Sequence, residues 1–203
     1  MIAAALLATS AVLGALSFFE PCTIATHTLF SARVHVLARA SRLRELARLW
    51  ASRSALAAGL LMLAAEFVTA PAWGSWIPSL MLAVMATVYI VSRFVYIPVP
   101  HLEIWKLFPA SSAWPQAVKL GLTLPACTLP LLVILLALVV TFGSRALAAL
   151  AGLLFASLFT LPTAITALTG LSARLKRFLG IAALATPYIT AAALYGAALY
   201  LLL

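Results

Sequence analysis

Apolar residues fill long unbroken stretches of this chain, and none of the stretches alternates with period two. Such runs read as membrane-crossing helices, because barrel strands alternate strictly between their two faces. Six spans fit: Ile2–Phe30 (broken near Pro21), Ala55–Pro71, Ile77–Ile97, Ala117–Val140, Leu147–Leu168 and Phe178–Leu203. Each is close to the ~17–25 residues that cross a ~30 Å hydrocarbon core. Segment 33–53 breaks the pattern. Leu37, Leu43, Leu46 and Trp50 recur along it with arginines in most of the remaining places, and Glu45 lies near Arg42 and Arg48. This predicts a separate helix lying on the membrane surface or in the cytosol, supported by local ion pairing.

Composition fits the same class. Apolar residues make up 66% of the chain and charged ones 8%, against about 25% charged in an average soluble domain. A soluble fold of this size cannot hide so much apolar surface. An ordinary soluble enzyme, an extracellular disulfide scaffold and a disordered tail are thereby excluded, and an all-α integral membrane protein remains.

The net charge of +9 then reads as an orientation signal before it reads as nucleic-acid affinity, since no stacking aromatics interleave the arginines. Arg33, Arg39, Arg42, Arg44, Arg48 and Arg53 follow the first span. Arg93, Lys106 and Lys119 surround the third connection, and Arg174, Lys176 and Arg177 fill the fifth. Arg145 alone falls on the opposite side. The basic side should be cytoplasmic, in contact with anionic lipid, which places both termini outside. Trp50, Trp73, Trp76, Trp105 and Trp114 all fall at predicted interfaces. No Lys or Arg precedes Arg33, so the first segment is read as a retained span and not a cleaved signal.

The chemistry-bearing residues are few. Cys22 and Cys127 are the two cysteines, and no CxxC is present, so zinc-ribbon, thioredoxin and c-type haem motifs are absent and no cofactor or metal site is expected. Each cysteine opens one half of the chain, 1–112 or 113–203. Three spans per half make any repeat inverted, with a pseudo-two-fold axis in the membrane plane. Counted from Arg33 and Lys119, the two thiols lie roughly 16 and 12 Å in from the basic side. Two spans carrying thiols at matched depth can bring them together. Pro21 precedes Cys22, and Pro125 and Pro130 bracket Cys127. Proline breaks a helix, and a thiol at the resulting N-terminus faces the positive end of the helix dipole, while apolar burial opposes its charged form.

Glu20 and Glu66 are placed inside spans, where a carboxylate is expensive, and are candidate proton relays. His27 is expected at the interface, and His101 and Glu103 in a solvated loop. An alternative reading takes Cys22, Cys127, His27 and Glu66 as the path of a soft-metal permease, although no Met-rich or His-rich intake segment is present. A further alternative is a structural membrane subunit with inert cysteines.

The motifs Leu16-Ser17-Phe18-Phe19-Glu20-Pro21-Cys22-Thr23 and Gly121-Leu122-Thr123-Leu124-Pro125-Ala126-Cys127-Thr128-Leu129-Pro130 resemble those of the CcdA/DsbD family of transmembrane thiol-disulfide electron transporters, in its short six-span form. The family's first motif usually reads Ser-Pro-Cys with a further proline. Here Glu20 stands for the Ser, no proline follows, and Ala126 separates Pro125 from Cys127. The resemblance implies six transmembrane helices as two inverted three-helix repeats in a prokaryotic cytoplasmic membrane. It implies a Cys22–Cys127 disulfide reduced by cytoplasmic thioredoxin. It also implies an extracytoplasmic thioredoxin-like acceptor that serves cytochrome c maturation.

Overall fold

The computed structural model describes residues 2–66, seven helical residues between 80 and 91, and residues 101–109, 113–142, 144–170 and 172–202. The Pro71–Trp76 connection and two thirds of the third span fall outside these. The described residues are mostly helical: α1 Ile2–Phe18, α2 Pro21–His35, α3 Arg39–Glu66, α4 Gln116–Gly121, α5 Leu129–Phe142, α6 Arg145–Thr169 and α7 Ala173–Leu202. A two-residue antiparallel pairing joins β1 (Leu102–Glu103) to β2 (Thr123–Leu124). Among the described residues, α3, α6 and α7 are long and apolar enough to cross a membrane.

Helix α6 is the spine, and its contacts give the direction of its neighbours. Ser10 of α1 donates to the Ala151 carbonyl, and Gly14 lies against Phe155. Further along, His27, Ser31 and His35 of α2 meet Thr163, Thr166 and Ala167. Both helices thus advance along α6 in the same sense as it runs, α1 along its first half and α2 along its second. The two are bent by 74° at Phe19–Glu20. The break falls where Pro21 led it to be expected, and taken together as one bent pair the two helices are long and apolar enough to count as a fourth candidate span.

Helix α3 runs antiparallel to α6, with Ala58 against Gly152 and Arg53 against Thr160. It corrects the expected separation of a basic surface helix, 33–53, from a span beginning at Ala55. Arg39–Glu66 is one helix of 28 residues, about 42 Å long at ~1.5 Å per residue. Its buried stripe is Leu46, Leu49, Arg53, Ser54, Ala57, Leu61 and Ala65, a three-and-four spacing that continues through the supposed boundary. Leu37, Leu43 and Trp50 are exposed instead, and the Trp50 indole donates to Ser157 at 3.0 Å.

The fourth expected span, Ala117–Val140, is broken around Pro125, as the prolines bracketing Cys127 predict, but more widely than a kink. It is interrupted from Leu122 to Thr128, where Thr123–Leu124 pairs with Leu102–Glu103 and a single 3-10 turn, Ala126–Thr128, follows. The remaining helix, α5, has 14 residues, about 21 Å, and falls short of a ~30 Å core.

Two apolar cores result. The larger joins Leu13 and Phe18 of α1, Leu61 of α3, Leu131 and Leu135 of α5, Phe155 and Phe159 of α6, and Leu194 of α7. The smaller gathers Phe30, Val34, Leu46, Leu49, Ala117 and Ala167 at the basic end.

Close approach of α3 and α6 depends on Gly152, where a Cβ would lie 2.6 Å from the Ala58 backbone. Gly152→Val is expected to destabilise the protein by about 1–3 kcal/mol through overpacking. Gly180→Ala, in open space, should leave stability unchanged. Thermal unfolding in detergent micelles compares the two, and equal melting would refute the packing assignment.

Candidate functional site

Cys22 and Cys127, 105 residues apart in sequence, are joined in a disulfide with their Cα atoms 6.7 Å apart. Each sits where a helix begins. Glu20 adopts the extended N-cap conformation and Pro21 opens α2, so Cys22 is its second residue. Proline is favoured there because the first helical N–H has no intrahelical acceptor to lose. Pro125, also extended, precedes the turn that carries Cys127, and Pro130 sits in the first turn of α5. All three prolines therefore lie at breaks in the helical ladder, Pro21 and Pro130 as helix starters. Phe18 packs at 6.0 Å from the His27 ring, and His27 at 5.4 Å from Phe159 in the middle of α6. The junction that bears Cys22 is thus level with the centre of the bundle. Both cysteines are half-buried.

The remaining candidates separate. Glu20 is fully buried beside Cys22 in sequence and accepts a hydrogen bond from Thr190 of α7 at 2.9 Å. Glu66 is the last described residue of α3, exposed and ion-paired with Arg145 at the start of α6. It stands roughly 20 Å along α3 from Arg53 at ~1.5 Å per residue. A surface pair of this kind contributes about 0–1 kcal/mol. Glu66→Gln should therefore leave stability within about 1 kcal/mol. A larger loss in thermal unfolding would refute the assignment as a surface pair.

His27 is fully buried, not interfacial. Its Nε2 lies 3.0 Å from the Arg53 guanidinium and its Nδ1 2.6 Å from Thr163 Oγ1. Arg53 also donates to Thr160 at 3.3 Å and stacks over the Phe159 ring at 4.0 Å. Ser31 donates to the Thr163 carbonyl at 3.2 Å and accepts from Thr166 at 2.7 Å. These residues form a polar layer between the two apolar cores. Sequence reasoning missed it by taking Arg53 for an orientation charge.

The loop residues are placed too. The Ala126 N–H donates to His101 Nδ1 at 3.3 Å, which brings the exposed His101 to the Cys127 turn, while Glu103 pairs with Lys106. Among the described residues no three His, Cys, Asp or Glu side chains gather as metal ligands.

Charge is segregated by end. At one end Arg33 donates to Gln116, Arg42 to the His35 carbonyl, and His35 meets Ala167. Arg145 with Glu66 marks the other. No family model, curated protein or solved structure matches the chain.

Proposed function

We propose that this protein carries reducing equivalents across a membrane by thiol-disulfide exchange at Cys22 and Cys127. The observation that supports this most is their pairing: two cysteines from distant parts of the chain meet at two helix starts, level with the bundle centre. A purely structural bridge has no need of broken spans. An exchanging one does, because unwound backbone beside the sulfurs gives room for a partner thiol and lets the chain rearrange.

The reductant is a dithiol protein of thioredoxin type at the basic, cytoplasmic end. Its thiolate attacks one sulfur of the Cys22–Cys127 bond and forms a mixed disulfide. Its second thiol then displaces the carrier cysteine. Two electrons pass, two protons follow, and the carrier is left with two thiols. The reverse sequence on the outer side reduces a thioredoxin-like acceptor and regenerates the disulfide. That acceptor would serve cytochrome c maturation, in the cytoplasmic membrane of a prokaryote. Alternating access to the two sides would come from six spans in two inverted halves, with both termini outside. Glu20, buried next to the Pro21-Cys22 motif, is the candidate proton relay.

Alkylation of the thiols in membranes, read as a mass shift before and after reduced thioredoxin, tests the reading. An intramolecular disulfide opened by thioredoxin, with a mixed disulfide trapped by one single Cys→Ser variant, supports it. Two thiols that stay free under mild oxidation and react independently would overturn it.

A further inference from the structure

The basic end of the bundle carries a cleft of about 310 Å³ between α2, the start of α3 and Pro115–Gln116. Its lining sets Arg33, Arg44, Arg48 and Glu45 beside apolar Phe30 and Leu37. Ser41, Arg44 and Arg48, also in the lining, follow one another at spacings of three and four, so one face of α3 supplies them. Arg33 stands on the α2 wall. Glu45 is paired with Arg48 at 2.6 Å. Arg33 donates to the neutral Gln116 amide oxygen. Among the described residues neither Arg33 nor Arg44 has a carboxylate partner. Arg42 serves a different purpose. It donates to the His35 carbonyl and, at 3.2 Å, to the Leu37 carbonyl, and so ties the turn that holds the two walls together.

Helix α6 gives the depth of this cleft. His35 Nδ1 meets the Ala167 carbonyl at 2.8 Å, and Ala167 lies about 33 Å along α6 from Arg145 at ~1.5 Å per residue. Arg33, two residues before His35 on α2, is about 3 Å nearer to the level of Arg145. Charge at the two ends is thus separated by about the ~30 Å of a hydrocarbon core, which puts the cleft level with lipid headgroups. A second cleft of about 420 Å³ shares Phe30, Arg33 and Gln116 with the first. It descends α2 past Leu29 to Thr26, with Lys119 and Leu120 on the α4 side. Leu29, one turn nearer the bilayer centre than Arg33, is 74% exposed. A cationic pocket at headgroup level therefore opens onto a partly apolar groove below it.

We propose that the two clefts hold one anionic phospholipid, its phosphate against Arg33, Ser41 and Arg44 and one acyl chain along Leu29 and Leu120. The inference is independent of thiol exchange and needs only that the helices lie in a bilayer. Three guanidinium groups against one carboxylate leave an excess of two positive charges in the lining. That excess selects an anionic headgroup over a zwitterionic one, and guanidinium groups match phosphate oxygens in geometry. A soluble anion would gain the same charge contacts but would leave the groove past Leu29 unfilled. A folded protein with an acidic face would meet the exposed Arg44 and Arg48, but a cleft of this volume is the size of a small-molecule site, ~300–1,000 Å³. The basic cluster is on this account a built site for one lipid, and not a diffuse attraction to the membrane surface.

The test exchanges the full chain into mixed micelles holding equal amounts of phosphatidylglycerol and phosphatidylcholine, and counts the lipids retained on the protein by native mass spectrometry. A single phosphatidylglycerol should be retained about tenfold more often than phosphatidylcholine, since each cation beside a headgroup contributes about fivefold. Arg33→Gln/Arg44→Gln should bring the two lipids to within about twofold of each other. Arg174→Gln/Arg177→Gln removes the same charge from exposed positions at the start of α7, and should leave the preference intact. Thermal unfolding checks that both variants are folded. If the first is not, Arg44→Gln alone, at an exposed position, should still lower the preference severalfold. Equal retention of both lipids, an equal loss in the two double variants, or displacement of the lipid by millimolar inorganic phosphate overturns the proposal. If neither lipid is preferred while Arg33→Gln/Arg44→Gln slows opening of the disulfide by thioredoxin, the cleft serves a protein. The lipid inference then falls and the carrier reading stands.

Discussion

Cys22→Ser and Cys127→Ser are each expected to lower thioredoxin-driven reduction of an external disulfide in sealed vesicles by roughly a hundredfold or more, and the double variant should fall no further. Serine keeps the shape of cysteine but cannot form the bond, and one remaining thiol cannot complete a two-electron cycle. The two losses are one loss counted twice, the non-additivity expected of groups that act as a unit. A structural bridge predicts something else. Closing a loop of ~100 residues is worth up to about 4.7 kcal/mol in a free chain, although helices already held in a membrane have less entropy to lose. On that account the chemically reduced wild-type protein would be as destabilised as the serine variants, and transfer would simply follow the folded fraction. On the carrier account the reduced wild-type protein is the active donor, while the serine variants are inactive at temperatures where all of them are folded. Vesicle transfer and thermal unfolding, measured on the same preparations, separate the two.

The parts of this fold that local apolarity governs were legible in the sequence. The expected span Leu147–Leu168 lies within α6, Arg145–Thr169, and the broken first span shows its break just before Pro21. The parts governed by distant partners were not. Pro125 and Pro130 announced a break within Ala117–Val140, but nothing local announces that Thr123–Leu124 pairs with Leu102–Glu103. The largest misreading had a local signal. Leu46, Leu49, Arg53, Ala57, Leu61 and Ala65 keep one helical face across the supposed boundary at Ala55. On α2, Thr23, His27, Phe30, Ser31 and Val34 do the same. A charge on an apolar stripe points to a buried partner on the facing helix. The candidate site divides in the same way. Motif position singled out Cys22 and Cys127, whereas the ion pair of Glu66 with Arg145 depended on how α3 and α6 pack against each other.

The polar layer gives the second large effect, and its ordering is specific. A guanidinium can only donate, so the 3.0 Å contact makes His27 Nε2 an acceptor and places the ring proton on Nδ1, aimed at Thr163 Oγ1. Among the described residues no carboxylate pairs with Arg53. Its charge is met by His27, by Thr160 and by the Phe159 face, the last worth ~2 kcal/mol when desolvated. His27→Ala leaves that buried cation short of its best acceptor and should destabilise by about 3–5 kcal/mol. Arg53→Met removes the charge and fills much of its volume, leaving only the imidazole unpaired, at about 1–3 kcal/mol. Arg53→Met/His27→Leu leaves nothing unpaired between the two positions and should recover most of the loss. His27→Ala is thus expected to be the worst of the three, although it deletes the smaller and uncharged partner. Reversible unfolding in micelles decides the ranking. Additive losses in the double variant would mean that the two side chains do not interact, and that Arg53 is held by Phe159 and Thr160 alone. If stability recovers and vesicle transfer recovers with it, the layer positions α2 and its Cys22 but takes no part in moving protons. If stability recovers and transfer does not, His27 and Arg53 belong to the path by which the thiols exchange protons with the basic end.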